Sequence, residues 1–409
     1  MHKDKKISSI YLYGTFAFVA GASLILLLSA RSIIDTRPPE FSKKNMLQAI
    51  WAQYKLEYLE PGTFRSLDKD RDNVTTSEGQ SYTMLRSVWL DDKEMFDAAW
   101  QWTKDNLQRE EDLLISWLFG ERPDGTYGVL ESEGGYNTAT DADVDIALAL
   151  LFASSRWNEE SYFGDAIGII RDIWAKEVLI AGGKPYLVAN NIEKSERKPY
   201  AVANPSYLAP YAYKIFARVD PDRDWAGLAS TSYEVALESM RSPLDKDSSA
   251  KLPPDWIGID KSSGEIALID PSVGLTTNFS YDALRTPWRF AVDYAWTKDP
   301  RAKEVLDAMG FLSREWERKG SIATSYSHDG ARLSSVESAA MYGGAIGYFM
   351  VSDPSRAEEV YRSKLESLFD STESKWRERQ GYYDDNWAWF GMALYAGEIR
   401  DLSLKKNER

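Results

Sequence analysis

The chain predicts an all-α fold, an (α/α)6 barrel of six helical hairpins, and three observations carry that reading. First, apolar residues recur at helical spacing from about residue 41 to 400, while the strict alternation of half-buried strands is scarce. Second, twelve such stretches occur, near 41–58, 80–90, 93–107, 143–155, 161–176, 205–217, 222–240, 281–296, 299–318, 336–350, 355–370 and 386–398, which is enough for six hairpins. Third, their character alternates. Odd-numbered members such as Ala226–Met240 and Ala357–Phe369 are amphipathic, as outer helices must be. Even-numbered ones such as VDIALALLFA (Val144–Ala153) are apolar nearly all round and demand burial on every side. An irregular helical bundle is the competing arrangement. The stretch 243–280, rich in Pro, Gly, Ser and Asp, reads as a long excursion between two hairpins, a kind of loop that often shapes a cleft.

Composition narrows the chemistry. With no Cys, disulfides, thiolate metal sites and cysteine nucleophiles are excluded. His2 and His328 are the only histidines, too few for a His-rich zinc centre. A net charge of −14 makes phosphate-mediated binding of nucleic acid a poor fit. Aromatic residues reach 13%, and many Trp and Tyr in an acidic chain suit an uncharged ring-shaped ligand such as a sugar, although a large core also uses them.

Residues 1–30 are a different material. No charge interrupts Ile7–Ala30, about 24 residues, and Lys3, Lys5 and Lys6 precede it. That length crosses a ~30 Å hydrocarbon layer, and the lysines keep the N-terminus cytoplasmic. The expectation is an N-terminal transmembrane anchor holding an extracytoplasmic domain; a cleaved signal peptide with secretion is the rival. Residues 31–40, with RPPE, read as a linker, 41–400 as the catalytic domain and 401–409 as a polar tail.

Polar motifs cluster where the buried helices begin. In TSEGQSY, Ser77 and Gln80 have capping-box spacing, which puts Glu78 in the first turn of a core helix. An acid there is ordinarily only a dipole partner. In ATDADVD, Thr140 can cap onto Asp143, but Asp141, Asp143 and Asp145 together exceed what capping needs. Like charges so close raise one another's pKa unless something uses them. Asn204-Pro205-Ser206-Tyr207 opens another helix with Pro in the first turn. Asp282 and Arg285 share a face three residues apart, where the plain reading is a weak surface pair. GYYDDNW, with Tyr382 and Tyr383, is the last such start, and paired tyrosines are more often core than ligand platforms. In a ring, these five starts converge on one mouth. Carboxylates and aromatic plates gathered in one cleft are what glycoside hydrolysis needs.

The ordered set SEGQSYTMLRSVW, ATDADVDIALALL, NPSYLAPYAY, YDALRTPWR and GYYDDNWAWFGMALYAGEI resembles glycoside hydrolase family 8 over about residues 76–398. The resemblance implies an (α/α)6 barrel that cleaves β-1,4-linked glycans with inversion, using neither cofactor nor metal. It makes Glu78 the general acid, Asp282 the general base and Asp141 the binder of the distorted sugar. Tyr207, Arg285 and one of Tyr382 or Tyr383 would lie around that sugar, with Trp117 as a stacking platform. Thr83 stands where many members have Gly. Xylan, mixed-linkage glucan (lichenan) and chitosan are the alternative substrates, and a non-hydrolytic glycan-binding surface protein or a uronate lyase the alternative classes. The anchor raises the further expectation of an exopolysaccharide synthase as partner. For catalysis Glu78 should be raised in pKa and Asp282 held ionised by Arg285. Inversion also calls for carboxyls roughly 6.5–9.5 Å apart.

Overall fold

Long Ala- and Leu-rich stretches without internal Pro form helices that are buried from end to end. In the computed structural model, residues 41–195 and 197–403 are described; the expected anchor, the linker and residues 404–409 lie outside them. From Lys43 onward the chain packs as one unit. Among the described residues there are thirteen helices: α1 (Lys43–Tyr58), α2 (Ser77–Leu90), α3 (Lys93–Asn106), α4 (Thr140–Trp157), α5 (Glu160–Glu177), α6 (Pro210–Val219) and α7 (Trp225–Arg241), then α8 (Arg285–Thr297), α9 (Pro300–Ala308), α10 (Phe311–Lys319), α11 (Ala339–Ser352), α12 (Pro354–Lys364) and α13 (Tyr382–Tyr395).

Six of them, α2, α4, α6, α8, α11 and α13, neighbour one another in turn. The Arg86–Asp385 ion pair and the Tyr82–Trp387 edge contact close α13 back onto α2. Each inner helix has an outer partner: α1 lies on α13, α3 on α2, α5 on α4, α7 on α6, α9 on α8 and α12 on α11. This helix-rich alternation matches the expected barrel. In α4 every residue from Thr140 to Ala153 is buried. Burying Val144, Ile146, Leu148, Leu150 and Leu151 contributes about 1.5–3 kcal/mol each against exposure, offset by the entropy of ordering the chain. α5, facing solvent on one side, buries only a stripe through Tyr162, Ala166, Ile169, Ile170 and Ile173.

The inner helices come unusually close where side chains are missing. A Cβ on Gly343 would sit 1.9 Å from the Trp387 carbonyl oxygen, and one on Gly344 1.9 Å from that of Leu284. α11 therefore touches α13 and the start of α8 almost backbone to backbone.

Several local expectations are corrected. The N-cap of α2 is Thr76, whose hydroxyl accepts from Gly79 N at 3.0 Å, so Ser77 is already helical. Thr140 does not cap α4; its hydroxyl donates to the Val188 carbonyl at 2.8 Å. The stretch near 281–296 becomes helical only at Arg285, leaving Asp282 in the turn before it. The stretch near 299–318 is two helices, broken at Met309-Gly310. Among the described residues ten short strands, invisible to periodicity because they run only two to four residues, form two three-stranded and two two-stranded sheets at the helix junctions. Two of these sheets matter. β1 (Thr75–Thr76) pairs with β2 (Leu118–Glu121), setting Trp117 beside the start of α2. β6 (Tyr200–Ala203) pairs with β7 (Ile257–Asp260), setting Trp256 beside Asn204. Among the described residues no helix is long and apolar enough to cross a membrane.

Candidate active site

Arg285 is the hub. Its side chain is 1% exposed and reaches three carboxylates from three parts of the chain. Nη1 donates to Glu78 Oε1 at 2.5 Å and to Asp141 Oδ2 at 2.7 Å. Nη2 donates to Asp282 Oδ1 at 2.8 Å, and Nε to the Asp282 carbonyl at 3.1 Å. Glu78 and Asp282 hang on different nitrogens of one planar group. Their nearest oxygens are therefore at most roughly 7–8 Å apart, two hydrogen bonds plus a guanidinium's width. Access is uneven: Asp141 is 2% exposed, Glu78 26% and Asp282 36%. The two carboxylates most open to a ligand are those at the ends of the span, with Asp141 at the floor between them.

Aromatic rings surround the hub. Tyr207 lies under the Arg285 guanidinium at 5.0 Å and packs edge-on against Trp256. Tyr383 donates from its hydroxyl to the Tyr281 carbonyl at 2.7 Å and stands against the half-exposed Tyr281 ring. Trp117 is partly exposed, and its carbonyl receives Ser77 N at 3.0 Å, so it flanks Glu78. Tyr382 does not join them. It is packed among Trp51, Tyr54 and Tyr58, behind α2. Adjacent residues on a helix point about 100° apart, so only one of the pair can face the mouth, and that one is Tyr383. Trp256 is a residue the sequence reading missed: its indole nitrogen donates to Asp282 Oδ2 at 3.1 Å. It sits alone in an irregular excursion, and no period or motif marks it.

The three aspartates of ATDADVD do three different jobs. Asp141 takes Arg285. Asp143 turns away, accepting from Ile115 N at 2.9 Å beside buried Glu177. Asp145, one turn below Asp141, accepts Arg289 through both oxygens at 2.9 Å. Arg289 is likewise one turn below Arg285, and its Nη1 also donates to the Tyr211 hydroxyl at 2.8 Å.

Protonation follows from this crowding. Burial pushes Glu78 upward, but Arg285's charge and hydrogen bonds from Asp141 and Arg285 outweigh it and leave the group below the usual range. Burial and the charge of Glu78 push Asp141 well above its ordinary value. Burial raises Asp282 as well, against the pull of Arg285. The expected raised Glu78 is thus not found, because Arg285 reaches Glu78 as well as Asp282. Of Glu78 and Asp141, the latter, more deeply buried, is the one whose protonated form the site favours. Among the described residues no cluster of His, Cys, Asp or Glu is arranged to hold a metal ion.

Two partly exposed carboxylates a short span apart, with aromatic rings beside both, on a ring of helices, are the arrangement that glycoside hydrolysis uses. The chain belongs to glycosyl hydrolases family 8, whose model matches residues 39–393. It is 29% identical over 83% of its length to Endoglucanase A of Acetivibrio thermocellus and over 78% to Endoglucanase 2 of Ruminiclostridium josui. It spans about two thirds of those relatives, 67% and 65%. The fold is similar to that of an endo-1,4-D-glucanase from Vibrio fischeri, with a TM-score of 0.70 and 24% identity, covering 85% of this chain and 94% of that one.

Proposed function

We propose that this hydrolase is an inverting, endo-acting β-1,4-glucanase on an (α/α)6 barrel, with Glu78 as general acid, Asp282 as general base and Asp141 as binder of the sugar at the cleavage point. The observation that supports it is the Arg285 bridge, which holds Glu78 and Asp282 on different nitrogens of one guanidinium; inversion then requires the pair to stand far enough apart to admit a water. The opposite shifts of Glu78 and Asp141 favour a proton on Asp141, shared by hydrogen bond with Glu78. A sugar ring seated over Asp141 competes for that hydrogen bond, strips water from Glu78 and weakens its contact with Arg285. The proton then passes to Glu78, which delivers it to the departing glycosidic oxygen. Asp282, ionised beside Arg285, takes a proton from the attacking water on the opposite face of the ring. Tyr207, Tyr383 and Trp117 supply the aromatic surface.

The endoglucanase names of the relatives favour a glucan over xylan or chitosan. Hydrolysis of carboxymethylcellulose, lichenan, xylan and chitosan, with the new anomeric centre followed by NMR, decides among them. The expected result is turnover of carboxymethylcellulose with α-configured ends; β-configured ends overturn inversion. Glu78→Gln is expected to lose at least ~10²–10⁴-fold in kcat while keeping oligosaccharide affinity.

The charge-free Ile7–Ala30 stretch behind three lysines supports a tethered extracytoplasmic enzyme. Such a tether would suit trimming of a chain as an exopolysaccharide synthase extrudes it. Recovering the native protein freely secreted and cut near residue 30 would remove that part of the proposal.

A further inference from the structure

The excursion 243–280 does more than wall a cleft, because two consecutive residues in it grip the turn that carries Asp282. Asp255 accepts from Ser280 N at 3.1 Å, from Ala283 N at 2.9 Å and from the Ser280 hydroxyl at 2.5 Å. It thereby satisfies backbone donors on both sides of Asp282. The next residue, Trp256, donates its indole N–H to Asp282 Oδ2 at 3.1 Å, while Arg285 holds Oδ1. Both donors lack an acceptor lone pair, so both bonds favour the ionised carboxylate. The Asn204 side chain also faces this carboxylate and lowers its pKa.

Resting on the reading of Asp282 as general base, we propose that Trp256 is a positioning residue. Its N–H and the Asp255 clamp aim the carboxylate at the attacking water and keep it ionised, and Trp256 is not a platform for the sugar. The geometry separates these roles. The ring already packs edge-on against Tyr207 at 5.9 Å, and its polar edge is taken by Asp282. Asp282 is also faced by the charged or titratable groups of Arg285, Glu78, Asp255, Tyr207 and Tyr383. A Phe at 256 leaves all of these in place and removes a single donor.

The test is kcat and KM of wild type, Trp256→Phe and Asp282→Asn on soluble β-1,4-glucan across pH 4–9. For W256F the acid limb of the kcat profile is expected to move up by about half to one pH unit. Its kcat should fall about 10–100-fold, with KM within about twofold. Trp256→Tyr, which keeps an aromatic ring but lacks that N–H, is expected to behave alike and stands in if the Phe variant folds poorly. A raised KM with the pH limb unmoved would make Trp256 a sugar platform and overturn the proposal, as would no change at all. If D282N keeps wild-type turnover, the base assignment itself fails. If D282N is inactive while W256F is normal, only the present proposal falls.

Discussion

Replacing Arg285 with Met is expected to destabilise the protein by about 3–5 kcal/mol at pH 7, the usual consequence of stripping one partner from a buried ion pair. The magnitude comes mainly from Glu78, the ionised partner in the crowded site, which would be left beside the buried Asp141 without a cation. Asp282, at 36% exposed, adds little because solvent screens it. The pH dependence has a definite sign. In the wild type Glu78 lies below its ordinary value, so its pairing stabilises the fold above the unfolded carboxyl pKa and is lost on acidification. Asp141 lies above its ordinary value, so its contribution is present in acid and lost as pH rises. Removing Arg285 deletes the first effect and enlarges the second. The deficit should therefore be largest near neutrality and shrink toward pH 4.5, as the crowded carboxyls take up protons. Thermal melts of both proteins at pH 7 and pH 4.5 measure it, with a gap of about 4–7 °C at pH 7 for a domain of this size. Equal melting at pH 7, or a gap that widens in acid, would refute the account of Arg285 as the cation these carboxylates require.

Two other outcomes follow from packing and burial. Gly344→Ala should abolish most activity and lower the melting temperature, because its methyl group meets the Leu284 carbonyl at 1.9 Å and must displace the turn bearing Asp282 and Arg285; circular dichroism alongside kinetics separates a shifted turn from an unfolded chain. Glu177, buried and raised to about 7 with Asp143 beside it, should make wild-type stability fall between about pH 4.5 and 7, by up to about 3 kcal/mol; Glu177→Gln should flatten that slope in urea titrations, and an unchanged slope would assign the pH dependence elsewhere.

Much of the site was legible because helix starts are loud in sequence. Glu78, Asp141, Tyr207 and Arg285 announce themselves through caps, Pro placement and carboxylates that an apolar helix has no reason to carry. Local signals stop at the helix's own geometry. Spacing alone cannot tell Tyr382 from Tyr383, since the choice depends on how α13 is rotated against α1 and α2. Nor does it show that Arg285 would serve Glu78 and Asp141 along with its i,i+3 neighbour, a meeting across 207 and 144 residues of chain. That wider reach lowers Glu78 where a lone Asp282–Arg285 pair would have left it raised. Trp256 lies at the far end of this scale: its role depends on a two-strand register between β6 and β7, set by segments too short to show a period.

The pairs Asp141–Arg285 and Asp145–Arg289 have a consequence for the ring as a mechanical object. They are two rungs, one helical turn apart on both α4 and α8, thrown across the bore between helices that are not neighbours in sequence order. An oily lumen lets facing helices creep past each other by a fraction of a turn at small cost. A bidentate lower rung forbids that creep, because sliding would tear two charges apart in a dry interior. The upper rung is thus delivered to the mouth at a set height, free to exchange partners with an incoming sugar while the strut beneath it stays still.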